Sequence, residues 1–370
     1  MQQPVRILQL FTILNRGGAE TNVMNYYRKL DKSKFQFDFA VHREEKGAYE
    51  DEIVSLGGRI FRFSNIHPLK LKAYKKQIQN FFDQHQYTII HGQCSELGYF
   101  FYKEAYKRGV PVIIAHGHNS KSKFDFKFPF RWFWKKRMMR YVNTYFSCGD
   151  EASVWLFGKK KALNAFTMTN AIETKLFAYN EQKSLQIRKE LNAIETKNWI
   201  HVGRFNIQKN HEFLISVFNL LLQKNPSQKL FLVGEGELKV KIQEKVQFLG
   251  IKDKVVFLGS RNDVNELLQG MDVFLFPSLF EGLPVSLVEA QASGVYCVIS
   301  DGIPQEAILI PENVSVISLK KATQQWADII QSLVLSEKKN VSSLIQDKGY
   351  DIDSNVRILE EQYTSFLQKQ

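Results

Sequence analysis

The chain has 370 residues, which at roughly 150 residues per domain implies two domains or three. It is 44% hydrophobic and 24% charged, which excludes a disordered or fibrous chain and leaves a globular one able to bury a large core. The formal net charge of +12 is uneven: residues 1–170 carry 28 Lys and Arg against 14 Asp and Glu, and residues 171–370 carry 22 against 24. The basic first half is expected to face something anionic, whether nucleic acid, a phosphate-bearing lipid surface or an acidic polymer. The 3 cysteines, Cys94, Cys148 and Cys297, lie far apart, so neither a disulfide framework nor a CxxC metal site is legible, and a reducing compartment is expected. No apolar run approaches the length of a membrane span, and Arg6 interrupts the first apolar stretch, so no signal peptide is expected.

In chain order, apolar runs suited to strands fall at Val5–Phe11, Phe35–Val41, Arg59–Phe63, Tyr87–His91, Val110–Ala115 and Val142–Cys148, with helical spacing between them, as in Leu69–Phe82. A second series follows at Trp199–Val202, Lys229–Val233, Lys254–Leu258, Val273–Phe276, Tyr296–Ser300 and Ser315–Ile317. Short Val/Ile/Phe-rich runs separated by helices indicate βαβ units and parallel sheets. Two series imply an α/β protein of two Rossmann-like, doubly wound domains, 1–170 and 171–352, joined through the polar stretch Asn170–Ser184. A final helix is expected within 353–370, with Val356, Leu359, Tyr363, Phe366 and Leu367 on one face, crossing back to the first domain. Asp351-Ile352-Asp353 resembles a metal-holding Asp-x-Asp. Its place before the last helix favours Asp353 or Ser354 as an N-cap instead.

Ligands of open parallel sheets sit beyond the carboxyl ends of the strands, so function is sought in the loops that follow strands and in the cleft that two facing domains would leave. Gly17-Gly18-Ala19-Glu20 follows the first strand and opens a helix, where glycines admit close backbone approach and free N–H groups suit an anion; a tight strand-to-helix turn is the alternative. It is not a GxGxxG, so a nicotinamide fingerprint is unsupported. Gly203-Arg204 ends the first strand of the second series, with Lys209 five residues on; the two cations can clamp a diphosphate or merely lie solvated at the surface. Gly234-Glu235-Gly236 ends the next strand and serves either a ligand or the turn itself. The most specific string is Phe276–Ala290. A buried strand ends at Pro277, a loop holds Glu281 and Gly282, Pro284 suits a first helical turn, Glu289 lies on the second turn and Gly294 can cap the end. Such a helix start aims N–H groups at a phosphate, and the two carboxylates suit neutral polyols, each able to accept from hydroxyls on adjacent carbons. His116-Gly117-His118-Asn119 follows the fifth strand and can meet a substrate or assist proton transfer, or be core histidine; no third ligand suggests zinc. Lys121–Tyr141 holds eight Lys/Arg, one Asp and eight aromatics, a composition that suits an interfacial segment on anionic lipid, a single-stranded nucleic acid, or a core helix with a solvated basic face.

These residues together resemble glycosyltransferase family 4, retaining enzymes of the GT-B fold. The resemblance spans nearly the whole chain and rests on Gly17-Gly18-Ala19-Glu20, Gly203-Arg204, Lys209-Asn210, Gly234-Glu235-Gly236 and Glu281-x7-Glu289. Asn25-Tyr26-Tyr27-Arg28, Phe37-Asp38-Phe39, His116-Gly117-His118-Asn119-Ser120 and Tyr350-Asp351-Ile352 are similar to the capsular and exopolysaccharide branch. The resemblance implies that Arg204 and Lys209 hold the donor diphosphate, Glu281 the sugar hydroxyls and Glu289 the ribose, with His116 at the reaction centre. Gly17, Gly18, Gly203, Gly234, Gly259, Gly282, Leu283 and Pro284 would complete the donor site, with backbone around Phe257-Leu258-Gly259 meeting the base. His116, Arg204, Lys209 and Glu281 are the expected catalytic residues. Asn170-Ala171-Ile172-Glu173 departs from the Asn-Gly-Ile-Asp of many members, which touches the hinge rather than the chemistry.

The implied reaction moves a sugar from a nucleoside diphosphate sugar, UDP by family weighting, to a lipid-linked saccharide or polysaccharide. It proceeds with retention and with no metal or other cofactor. His118, Asn119, Lys123, Arg131, Trp132, Trp134, Lys135, Lys136 and Arg137 are expected on the acceptor and membrane side, holding a cytoplasmic protein to the inner face of the cell membrane; no nucleic acid partner is expected. The rival readings are a nucleotide-sugar-binding protein without catalysis, a nucleic-acid-binding protein, and a GT-B epimerase, which would need acidic catalysts that the sequence does not identify.

Overall fold

A computed structural model describes residues 3–119 and 128–368. The chain forms two compact units: one holds the chain up to Ala171 together with the helix Ile352–Gln368, the other holds Ile172–Asp351.

In the first unit seven parallel strands are β1 (Val5–Phe11), β2 (Phe35–Val41), β3 (Arg59–Arg62), β4 (Ile89–Gly92), β5 (Val112–Gly117), β6 (Thr144–Ser147) and β7 (Phe166–Thr167). Their order is β3-β2-β1-β4-β5-β6-β7. Alternate residues point to opposite faces. Ile7, Phe37, Phe39 and Ile89 pack under the helix Gly18–Lys29 and against Val356, Leu359 and Tyr363 of Ile352–Gln368. Leu8, Leu10, Ala40 and Ile90 pack with Tyr74, Phe101 and Tyr102 on the other face. Burial on both faces explains why these strands read as continuous apolar runs.

The second unit holds β8 (Lys197–Val202), β9 (Gln228–Val233), β10 (Val255–Gly259), β11 (Val273–Phe276), β12 (Tyr296–Ser300) and β13 (Val314–Ile317), all parallel, in the order β10-β9-β8-β11-β12-β13. Each sheet therefore reverses its winding once, between β1 and β4 and between β8 and β11. At such a switch point the flanking loops diverge and leave a crevice beyond the strand ends.

Every expected strand is present, with ends moved by up to a few residues; β5 runs on through His116 and Gly117, and β4 starts at Ile89 instead of Tyr87. β7 was not expected, because two residues carry no period. The stretch from Asn170 is not a structureless linker. It contains the helices Thr174–Phe177 and Glu181–Glu190, the latter capped by Asn180, whose side chain accepts from the Lys183 N–H at 2.9 Å. The last helix begins at Ile352, so Asp353 is in its first turn, not at its N-cap; Asp353 instead meets Lys29 at 3.2 Å. Asp351 accepts from Thr174 Oγ1 at 2.8 Å.

Candidate active site

In the second unit the loops after β8, β9 and β10 are knitted side by side by backbone hydrogen bonds. Gly203 N–H donates to Val233 at 2.9 Å, Phe205 N–H to Glu235 at 2.9 Å and Gly234 N–H to Gly259 at 2.8 Å. The glycines make this possible. Gly234 has φ +138°, and a Cβ there would lie 2.2 Å from the Gly203 carbonyl oxygen; at Gly236, with φ +155°, it would lie 2.5 Å from that of Phe205. Both are therefore required by the turn, the more modest of the two readings of this motif. Gly203 has a different neighbourhood: a Cβ would sit 3.0 Å from Lys209 Cε and 3.1 Å from His201 Nε2.

The loop after β8 meets the loop after β11 across the switch point. Leu279 N–H donates to the Gln208 carbonyl at 2.8 Å, and Asn210, in the left-handed region at φ 56°, donates its amide to the Pro277 carbonyl at 3.2 Å. This docking brings Lys209 and Glu281 together, with Nζ 2.8 Å from Oε1 and both side chains largely buried. Gln208 Nε2 donates to the other carboxylate oxygen at 3.1 Å, Glu281 N–H to the Gly302 carbonyl at 3.2 Å, and the Lys209 ammonium sits 4.4 Å from the centroid of Phe276. Gln208 was not foreseen; its adjacency to Lys209 was the available signal. Arg204 is exposed and has no ion-pair partner among the described residues. Gly282, Leu283 and Pro284 are buried. Pro284 is the N-cap of the helix Val285–Ala292, one position before the expected first turn, and its own side chain makes no cap hydrogen bond. Glu289 is half-buried on its second turn, and Gly294 at φ +69° closes its end. Gly259, at φ +68°, ends β10.

Beneath Gly203, His201 is fully buried and donates Nδ1–H to the Leu275 carbonyl at 2.9 Å, which leaves the Nε2 lone pair without a partner among the described residues. Burial, reinforced by neighbouring His211, holds its pKa well below the ordinary value. His211 stacks on Phe205 at 4.1 Å, and burial lowers its pKa to about 3.

In the first unit, Gly17 precedes the helix Gly18–Lys29, and a Cβ on Gly18 would meet nothing within 4 Å. Packing therefore gives no reason for glycine there. His116 does not project from the strand end as expected. It is fully buried, its Nδ1 3.1 Å from His91 Nε2, and its ring stacks on His118 with centroids 4.1 Å apart; Nε2 has no hydrogen-bond partner among the described residues. His118 Nε2 is 2.7 Å from Gln93 Oε1, and Asn119 is exposed. Burial pushes the pKa of His118 to about 4 and of His91 to about 3, and that of His116 well below its ordinary value. All three rings are neutral at pH 7.

The basic aromatic segment forms the helix Phe128–Met138; Lys123 lies outside the described residues. Phe130, Trp132 and Phe133 are exposed by 66%, 51% and 42%. Lys136 lies 3.7 Å from the centroid of Trp132, and the Arg137 guanidinium 4.7 Å from that of Phe133. Trp134 turns inward, 4.5 Å from Tyr99 and 5.1 Å from Phe100. Lys135 is half-buried over Trp155 at 3.9 Å, and Arg131 reaches Glu96 at 3.9 Å. Three of the expected membrane-side residues, Arg131, Trp134 and Lys135, thus hold the helix to its own unit. Among the described residues no helix is long and apolar enough to cross a membrane, and no group of three His, Cys, Asp or Glu is placed to hold a metal ion.

Known proteins resemble this chain in sequence and in fold. Residues 16–152 match the family described as Glycosyltransferase Family 4, and residues 183–346 match Glycosyl transferases group 1. The putative glycosyltransferase EpsF of Bacillus subtilis is 34% identical over 98% of this chain and 97% of its own length. CapH of Staphylococcus aureus, a capsular polysaccharide biosynthesis glycosyltransferase, is 24% identical over 98% and 99%. Among solved structures, Anabaena HepE in complex with UDP-glucose superimposes with a TM-score of 0.80 at 17% identity, covering 97% of this chain and 99% of that one. The lipopolysaccharide enzyme WaaG gives 0.68 at 14% identity, covering 95% and 94%. The chain therefore belongs to the glycosyltransferases of family 4, built on the GT-B fold.

Proposed function

We propose that this glycosyltransferase transfers a sugar from a UDP-sugar to a lipid-linked saccharide or polysaccharide during synthesis of a surface polysaccharide, with retention at the anomeric carbon and with no metal or cofactor. The observation that carries the reading is the pairing of Lys209, on the loop that also holds Arg204, with Glu281, on the loop that leads into the helix Val285–Ala292: a cation for phosphate next to a carboxylate for hydroxyls. Names of relatives support the donor and acceptor classes. HepE was crystallised with UDP and with UDP-glucose, and an Escherichia coli relative, 35% identical over 27% of this chain and 27% of its own length, is described as a UDP-Gal:alpha-D-GlcNAc-diphosphoundecaprenol alpha-1,3-galactosyltransferase.

In the proposed step the bond from the anomeric carbon to the diphosphate oxygen breaks as the bond to the acceptor oxygen forms on the same face. The acceptor proton passes to the departing diphosphate. Arg204 and Lys209 stabilise the charge gathering on that diphosphate, aided by the N–H groups that begin Val285–Ala292. Glu281 accepts from sugar hydroxyls and Glu289 from the ribose, while Gly18 lets the backbone come close to phosphate. The exposed row Phe130, Trp132, Phe133, Lys136 and Arg137 suits an anionic lipid surface, with rings for the interface and cations for headgroups. This supports a place on the inner face of the cell membrane.

The test is a turnover screen of UDP-, GDP- and ADP-sugars against lipid-linked acceptors, with EDTA present. Product with the donor's anomeric configuration, from a UDP-sugar and undiminished by EDTA, is the expected result. Inverted product would overturn retention, loss with EDTA the metal independence, and preference for another nucleotide the donor assignment.

A further inference from the structure

Gln208 grips three consecutive residues of the loop after β11. Its backbone carbonyl accepts from Leu279 N–H at 2.8 Å, and its side-chain Nε2 donates to the Phe280 carbonyl at 3.0 Å and to Glu281 Oε2 at 3.1 Å. Chemistry fixes the direction of the two side-chain bonds. A peptide carbonyl and the carboxylate paired with Lys209 both accept, so the end of the amide that faces them is its NH2, with one hydrogen for each. The main chain of the loop is held at other points too. Asn210 donates its amide to the Pro277 carbonyl at 3.2 Å, Ser300 Oγ donates to the Ser278 carbonyl, and Glu281 N–H donates to the Gly302 carbonyl at 3.2 Å. With the backbone placed, what is left to set is the aim of the Glu281 side chain. Two residues adjacent in sequence act on it, Lys209 Nζ at Oε1, 2.8 Å away, and Gln208 Nε2 at Oε2. The two contacts respond differently to a diphosphate. Lys209 is a cation and is drawn to a phosphate that arrives beside it, so its hold on Oε1 loosens as donor binds. Gln208 is uncharged, and both hydrogens of its amide are already committed to the loop after β11, so its hold on Oε2 persists.

We propose that Gln208 is a positioning residue for the donor sugar: it keeps the Glu281 carboxylate aimed at the sugar hydroxyls while Lys209 turns to the diphosphate. The inference rests on the roles proposed above for Lys209 and Glu281, and it adds the residue that lets the two act at once. A cation in place of Gln208 would compete for the same phosphate, and a carboxylate would repel Glu281, which is the reason for an uncharged donor at this position.

Titration calorimetry on the full chain tests this without an acceptor. The ligands are UDP, UDP-glucose, UDP-galactose and UDP-N-acetylglucosamine, and the proteins are the wild type and Gln208→Met, each also in a Glu281→Ala background. Gln208→Met keeps the length of the side chain and the backbone bond to Leu279 but removes the amide hydrogens. Its Kd for a UDP-sugar that the wild type binds should rise about tenfold, the worth of about one hydrogen bond to a charged group. Its Kd for UDP, which has no sugar for Glu281 to meet, should stay nearly unchanged. In the Glu281→Ala background, where no carboxylate is left to aim, Gln208→Met should change the affinity for the UDP-sugar little. Equal losses for UDP and UDP-sugar would make Gln208 a support of the loop alone. Unchanged affinities in a folded Gln208→Met would mean that its amide holds nothing the sugar needs, and a full loss in the Glu281→Ala background would mean that it acts elsewhere. Each of these three results overturns the inference and leaves the proposed transfer standing. A wild type that binds none of the four ligands overturns the UDP-sugar reading, and this inference with it.

Discussion

Lys209 and Glu281 share one ion pair, and each is proposed to serve a different part of the donor. The pair also stores a structural cost. Lys209→Ala would take its cation from a buried carboxylate, so a loss of about 2 kcal/mol in stability is expected in thermal or denaturant unfolding. Turnover should fall much further, by about 10²–10³, because the cation is proposed to act on charge that develops only as the diphosphate leaves. Near-normal turnover with any donor would sink the assignment. Gly18 and Gly234 separate in the opposite sense. A methyl at Gly18 meets open space, so Gly18→Ala should fold at least as well as the wild type while losing turnover, since the methyl would stand where backbone is proposed to meet phosphate. Gly234→Ala has a positive φ and a 2.2 Å clash with Gly203, so it should lose about 2–4 kcal/mol of stability. Equal stability of the two variants would contradict both readings.

At the scale of elements, the strands were legible because parallel strands buried on both faces must be apolar throughout, and Phe35–Val41 and Val273–Phe276 show that pattern without interruption. Their ends were less legible. Tyr87 looks like strand, but its hydroxyl is committed to Asp38 at 2.9 Å before β4 begins. The strand-end loops announced Arg204, Lys209 and Glu281, since cations and carboxylates there stand out against apolar runs. The contacts of the buried histidines did not announce themselves. Gln9 pairs with Gln93 across 84 positions and His91 with Tyr363 across 272, separations that no local spacing encodes. The helix Phe128–Met138 was legible in composition but not in which face it shows. Its packing now divides two tryptophans that read alike. Trp132→Ser should weaken sedimentation with anionic vesicles at low salt and leave unfolding nearly unchanged. Trp134→Ser should cost about 3 kcal/mol of stability through lost packing on Tyr99 and Phe100. Vesicle binding unchanged by Trp132→Ser would count against the membrane role.

For the whole molecule, buried neutral histidines tie stability to pH. Burial lowers His42 and His118 to about 4 and His91 and His211 to about 3 in the folded state, against about 6.5 when unfolded. The unfolded chain then binds more protons than the folded one below about pH 6.5, so stability is present above that value and falls with acidification. Each such ring contributes up to about 1.4 kcal/mol per pH unit. Melting curves from pH 7.5 to 5 should show a steep decline; a flat profile would mean that these rings are not held neutral. The central claim is that the second unit binds a uridine diphosphate through Arg204 and its neighbours. Thermal unfolding with UDP, GDP, ADP and NAD, in the wild type and in Arg204→Ala, tests it most directly. A ligand at about 100 times its dissociation constant adds roughly 2.7 kcal/mol if it binds only the folded state. The account predicts a rise in melting temperature with UDP alone, lost in Arg204→Ala while the unliganded variant melts like the wild type. No shift with any nucleotide in a well-folded wild type, or a UDP shift that survives in Arg204→Ala, would contradict it.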